Sequence, residues 1–300
     1  MKRLFSIIML FILLPVSQAA GAEIFSDHGQ GTSLSSVECH ESDTVRILAI
    51  GNSFSEDAVE QYLCELFKAG GQVAIIGNMY IGGCPIDRHM HNAETDAPDY
   101  AYRKVVDCVK TETMNVTLAE ALTDEDWDYV SVQQASGRSG IYSSYALLPD
   151  LIKYVRTVAS PDVRILFHQT WAYQQNSDHG EFPNYGCDQM SMYRAIMEAV
   201  QNAVRDNPEI TAVIPSGTAV QNARTSWLGD NMCRDGYHLN RDYGRYTAAC
   251  TWHETISGKV VFGNPYRPAS VSAEQARIAQ MAAHLAVEKP YEVTDMSDFH

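Results

Sequence analysis

Beyond its first twenty or so residues the chain has no stretch approaching 18 consecutive apolar residues, so nothing later in the sequence reads as a membrane span. Basic residues are scarce, 22 Lys+Arg against 37 Asp+Glu, and they form no cluster or stripe. A net charge of −15 therefore argues against nucleic acid and against an anionic membrane surface, both of which need concentrated positive charge. Gly (19) and Pro (11) are too few for a collagen-like or low-complexity chain. The seven cysteines include no C-x-x-C pair, which disfavours zinc ribbons and thioredoxin-type redox chemistry. No fixed-period repeat and no Pro/Gly/Ser-rich linker divides the 300 residues, so a single domain is expected.

The apolar run near the start has a different character. Lys2 and Arg3 precede Leu4 to Val16, and Ala20-Gly21-Ala22 supplies a small-residue exit. That is the layout of a secretory signal peptide over residues 1–22, too short in its apolar part to span a bilayer. The polar residues 23–43 read as a flexible lead-in. The expected location is thus exported, periplasmic or secreted. Cysteine pairing is left open, with Cys64 and Cys250 falling in helical patterns as small buried residues.

Short apolar runs at 45–50, 73–76, 127–132, 163–167 and 212–214 alternate with helical periodicity at 56–69, 147–158, 189–206, 241–256 and 273–288. Residues 86–126 carry no clear pattern. Five strands interleaved with helices predict a three-layer α/β/α sandwich on a parallel five-stranded, flavodoxin-like sheet. The domain is expected over 44–290, with 291–300 as a tail. Right-handed crossovers bring every strand-to-helix loop to one sheet edge, where chemistry is expected.

Two segments on that edge have the residue types for nucleophilic catalysis. Ser53 follows the first strand directly and opens a helix, whose free N–H groups and dipole favour developing negative charge. A Ser at that place also serves simply as a helix cap. Asp235 and His238, three apart after the fifth strand, supply a base and the carboxylate that orients it.

These residues resemble the blocks of the SGNH (GDSL-type) superfamily of serine hydrolases. Gly51-Asn52-Ser53 matches its Gly-Asp/Asn-Ser element, and Asp235 with His238 matches its Asp-x-x-His element. The family places an oxyanion-hole glycine after the second strand, where Gly83 fits best and Gly82 is the alternative. Its third block, normally Gly-x-Asn-Asp, is replaced here by Val132-Gln133-Gln134, so Gln133, or else Gln134, stands where the family's Asn donates.

The resemblance implies a catalytic set of Ser53, Asp235 and His238, with an oxyanion hole from Ser53, Gly83 and Gln133, and neither metal nor cofactor. It also implies an exported serine esterase. Aromatic residues at the active edge, among them Tyr80, Tyr142, Trp171, Tyr173, Phe182, Tyr185 and Trp227, suit sugar rings, and no long apolar loop suggests an acyl tunnel. The expected partner is an acylated carbohydrate that loses acetyl or another small acyl group. Asn52, Tyr80, Gly82, Gln134, His168, Gln169 and Trp171 are the substrate-binding candidates. A noncatalytic glycan binder and a lipase or thioesterase are the alternatives. Arg138 and Arg224 read as surface ion-pair formers, and Cys84, His89 and His91 as an improbable metal cluster.

Overall fold

The computed structural model describes residues 44–299. The leader, the lead-in and Cys39 lie outside the described residues. The sheet has seven strands: β1 (Thr44–Gly51), β2 (Val73–Tyr80), β3 (Tyr100–Val106), β4 (Val109–Val116), β5 (Tyr129–Val132), β6 (Arg164–His168) and β7 (Ile210–Ile214), in the order β4-β3-β2-β1-β5-β6-β7. The five expected strands are all present and mutually parallel. Their interiors are apolar because both faces of the sheet are covered: Ile47, Leu48, Ala49, Val130, Val132, Ile165 and Phe167 are buried.

The two additional strands correct the expectation of five. They form an antiparallel hairpin that extends the sheet beyond β2. Its two-residue turn is Asp107-Cys108, both at positive φ (50° and 61°). Such a turn is normally announced by Asn-Gly or Asp-Gly, and a Cys in the second place hides it. Cys108 is bonded to Cys64, Cα to Cα 5.3 Å, across 44 residues of chain. Cys64 is therefore half of a disulfide rather than a free apolar filler.

Helices flank the sheet: α1 (Ser53–Val59), α2 (Leu63–Ala69), α3 (Ile86–Thr95), α4 (Leu118–Leu122), α5 (Leu148–Val158), α6 (Gln189–Asp206), α7 (Ser216–Thr225), α8 (Tyr243–Ser257) and α9 (Ala273–Glu288). One group packs around α8, which contacts α1, α2, α7 and α9 and is buried on nearly every side. On the other side α3, α4 and α5 pack together. The single helix expected over 56–69 is broken into α1 and α2, because Tyr62 takes a left-handed φ of 70° and donates its hydroxyl to Arg241 O. The segment set apart as a tail is packed instead. Thr294 N donates to Asn222 Oδ1, Met296 N donates to Thr225 Oγ1, and Met296 is buried.

The register aligns the carboxyl ends. Gly51 lies beside Tyr80, Ile50 beside Val132, Val132 beside Phe167 and His168 beside Ile214. β1 is the strand from which the parallel sheet grows both ways, to β2 and to β5. The crevice at such a switch point is where this class of sheet binds ligands, and Ser53 stands directly on it.

Candidate active site

The turn after β1 is built around Asn52. Its backbone is extended, and its Oδ1 caps α1 by accepting from Phe54 N at 3.0 Å. Ser55 is fully buried, and its Oγ lies 2.7 Å from Asn52 O and 2.8 Å from Asn78 Oδ1. Capping therefore falls to Asn52, and Ser53, the first residue of α1, is half-buried with no capping duty.

The loop after β7 and α7 carries the other two residues. His238 Nδ1 lies 2.7 Å from Asp235 Oδ2, while Asp235 Oδ1 accepts from His238 N at 2.8 Å and from Tyr237 N at 3.3 Å. Burial opposes ionisation of Asp235, but the His238 side chain and these N–H groups outweigh it and hold the carboxyl below its ordinary value. With the carboxylate as acceptor, Nδ1 carries the proton and Nε2 is left as the basic nitrogen.

Three contacts bring this loop against α1. The His238 ring lies 6.1 Å from that of Phe54. Trp171 stacks on Phe54 at 4.2 Å and donates Nε1–H to Tyr237 O at 2.7 Å. Asp57, completely buried one turn after Ser53, accepts from Leu239 N at 2.8 Å and pairs with Arg234 at 3.0 Å and Arg245 at 2.6 Å.

The oxyanion candidates converge on Asn52. The Gly82-Gly83 turn is exposed, Gly83 having φ +62°, and Asn52 Nδ2 donates to the adjoining Cys84 O at 3.1 Å. Gln133 Nε2 donates to Asn52 Oδ1 at 2.9 Å. Since that oxygen already accepts from a backbone N–H, the orientation of the Gln133 amide is fixed, and its Oε1 faces His168 Nδ1 at 2.8 Å. Nδ1 of His168 must then be the donor, leaving Nε2 to accept from Ser216 Oγ at 3.0 Å. Burial holds the His168 imidazole neutral, lowering its pKa to about 3, as this chain of bonds requires.

This arrangement corrects five of the expected substrate contacts. His168, Gln169, Trp171 and Gln134 are all buried, with their polar atoms bonded inside the protein. Gln169 Oε1 accepts from Thr218 N and its Nε2 donates to Pro290 O. Gln134 Oε1 accepts from Ile86 N and Ala135 N, and its Nε2 donates to Ser144 O and Oγ. They form the supporting shell rather than its surface. Asn52 belongs to that shell too, being 1% exposed, and Gln133 is as enclosed, also 1% exposed. Tyr80 is half-buried at the end of β2, with the Arg103 guanidinium 3.8 Å from its ring centre. Of the other aromatics, Tyr173, Phe182 and Tyr185 are buried, whereas Tyr142 and Trp227 are exposed. Arg224 is buried and bonded to Ala172 O and Asp230, not a surface residue. His89 is also buried, 2.9 Å from Tyr100 Oη.

Sequence reasoning missed Asp57 and Arg245. An acid four residues after Ser53, on a helix expected to bury one face, was the available signal. It also missed the wall beside His238, where Tyr237 packs on His238 at 4.2 Å and His179 on Tyr237 at 4.6 Å. Next to Asp235 opens a cavity of about 290 Å³ lined by polar groups, including Gln174, Asn176, Ser177 and Asp178.

The family model described as "Domain of unknown function (DUF4886)" matches residues 46–286. A crystal structure of a DUF4886 family protein from Bacteroides uniformis ATCC 8492 is 53% identical, covering 86% of this chain and 100% of its own, with a TM-score of 0.84. A putative SGNH hydrolase from Slackia heliotrinireducens matches at 21% identity over 71% of this chain and 99% of its own, with a TM-score of 0.48. A carbohydrate esterase family 3 protein from Talaromyces cellulolyticus matches at 12% identity over 71% and 97%, with a TM-score of 0.45. No curated protein matches.

Proposed function

The chain belongs to the DUF4886 family, and we propose that within it this protein is an exported serine esterase that removes acetyl or other small acyl groups from carbohydrate. The observation that carries this reading is the His238–Asp235 pair, held at 2.7 Å and packed by Phe54 and Trp171 against the helix that Ser53 opens. In the proposed cycle Ser53 Oγ attacks the ester carbonyl and His238 Nε2 takes its proton. Asp235 keeps the imidazole in the Nδ1–H tautomer and offsets its charge once protonated. His238 then protonates the leaving alcohol. Water, deprotonated by the same imidazole, releases the acid from Ser53.

The N–H groups of Ser53 and Gly83 are the backbone donors proposed for the tetrahedral oxyanion. Between the two glutamines, hydrogen-bond accounting favours Gln133. Its Nε2 uses one hydrogen on Asn52, whereas both Nε2 hydrogens of Gln134 are engaged at Ser144. The substrate class is supported by the polar cavity beside Asp235 and the Tyr237–His179 wall, since amides and aromatic faces suit a sugar better than an alkyl chain. The Cys64–Cys108 bond accords with an oxidising compartment, as does the leader-like start of the chain.

The test is release of nitrophenol from p-nitrophenyl acetate, followed by release of acetate from acetylated polysaccharides. Ser53→Ala should abolish turnover with unchanged thermal unfolding. Full activity in that variant would remove Ser53 as the nucleophile. No activity in the native chain would leave a glycan-binding protein on a hydrolase scaffold, and a rise in rate with acyl length would favour a lipase.

A further inference from the structure

Beneath the site lies an ionic cluster centred on a buried carboxylate, with Arg245 buried and Arg234 reaching in from the surface. Asp57 Oδ1 is 3.0 Å from Arg234 Nη1 and 2.6 Å from Arg245 Nη2, and Asp57 Oδ2 is 2.8 Å from Leu239 N. Asp57 has no exposed surface. Burying a carboxylate costs several kcal/mol unless fixed partners answer it, so the geometry of such a group is demanding. The placement of its partners is informative. Leu239 follows His238 directly, and Arg234 precedes Asp235 directly. Arg234 also donates to His238 O through its backbone N–H and to Leu239 O through Nη1. Arg245, on α8, reaches Glu56 as well, so the cluster is anchored on a second element. One side chain on α1 therefore grips both ends of the segment that holds Asp235 and His238, and Ser53 starts that same helix.

Resting on the esterase reading above, we propose that Asp57 is a positioning residue, which through Arg234 and the Leu239 N–H sets the reach of His238 toward Ser53. Asp57 touches no reacting atom, and the Arg234 side chain meets the proposed catalytic set only through Asp235 Oδ2, 3.9 Å from its Nε. A displacement of about 1 Å in an acid–base group is enough to cost up to ~100-fold in rate, so loosening this grip should appear in turnover rather than in substrate binding.

The experiment compares Arg234→Met, Arg234→Lys and Asp57→Asn with the native chain, using p-nitrophenyl acetate hydrolysis and amide hydrogen exchange of the segment 234–240. Arg234→Met should lower kcat by at least about tenfold with KM changed less than about twofold, and should speed exchange in the segment. Arg234→Lys, which returns a single ammonium donor to the carboxylate, should recover most of the kcat, a rescue that a merely structural defect would not show. Asp57→Asn should follow Arg234→Met. Should it fail to fold, the two Arg234 variants decide alone. A folded Arg234→Met with native kcat and native exchange overturns the proposal. If the native chain hydrolyses no ester, the esterase reading falls, while the exchange measurement still decides whether Asp57 and Arg234 hold the segment.

Discussion

A methyl group on Gly51 would lie 2.5 Å from Ser55 Oγ and 3.0 Å from Gln133 Cδ. Neither neighbour can yield cheaply, because Ser55 is shared between Asn52 and Asn78, and Gln133 is tied to Asn52 and His168. Gly51→Ala should thus disturb the Ser53 turn and press on Gln133, the side-chain donor proposed for the oxyanion, without touching Ser53, Asp235 or His238. We expect a loss of about 1–3 kcal/mol in urea unfolding together with a marked fall in the proposed esterase turnover. Native stability and turnover in that variant would mean the turn has slack the close contacts deny. Residues around this turn mark what the sequence offers and where its reading stops. Ser53, Asp235 and His238 stood out because their types and order suit one chemistry. His168 and Gln169 did not separate from true surface residues, since a polar side chain at a strand end reads the same whether it faces a ligand or bonds inward. Only the count of partners around each atom distinguishes the two.

The β3–β4 hairpin is joined to α2 by the Cys64–Cys108 bond, and its outer strand β4 is exposed along most of its length. Closing a loop of this length constrains the unfolded chain, a contribution of about 2–4 kcal/mol. Replacing both cysteines by Ala should lower stability by that order, read as a drop in Tm. The proposed esterase activity at moderate temperature should persist, because the bond lies at the amino end of β2, opposite the edge that carries Ser53. Equal Tm values for the two forms would show that the hairpin is held by its sheet contacts alone. This element was invisible beforehand because an Asp-Cys turn lacks the usual glycine and β4 has no apolar face. By contrast α5, α6 and α9 were readable to within a residue or so, each having a continuous apolar stripe and clear ends.

Three histidines distributed through the molecule couple its folding to acid. Burial lowers the pKa of His89 and His168 from 6.5 to about 3 and that of His253 to about 4. Once unfolded, each would take up a proton near 6.5. Below that value the unfolded chain binds more protons than the folded one, so this stability is complete above pH 6.5 and is lost progressively, down to about 4 for His253 and about 3 for His89 and His168. Each histidine contributes a slope of about 1.4 kcal/mol per pH unit in that window. Urea unfolding followed from neutral into mildly acidic buffer should show the decline, and His89→Gln should flatten it by about one third. A slope unchanged in that variant would mean His89 is already protonated in the folded state.

The docking of residues 290–296 bears on how the protein comes into being. Pro290 O accepts from Gln169 Nε2 and Thr218 Oγ1, and Thr294 N is anchored on Asn222. Gln169 adjoins His168, which orients Gln133 and through it Asn52. A chain without this segment loses one partner at each of these buried groups, although Gln169 Nε2 keeps Met197 Sδ and Thr218 Oγ1 keeps Gln169 Oε1. The backing of the proposed Ser53 turn is therefore complete only once residues 290–296 have docked, so a chain cut before them should unfold more readily than one that carries them.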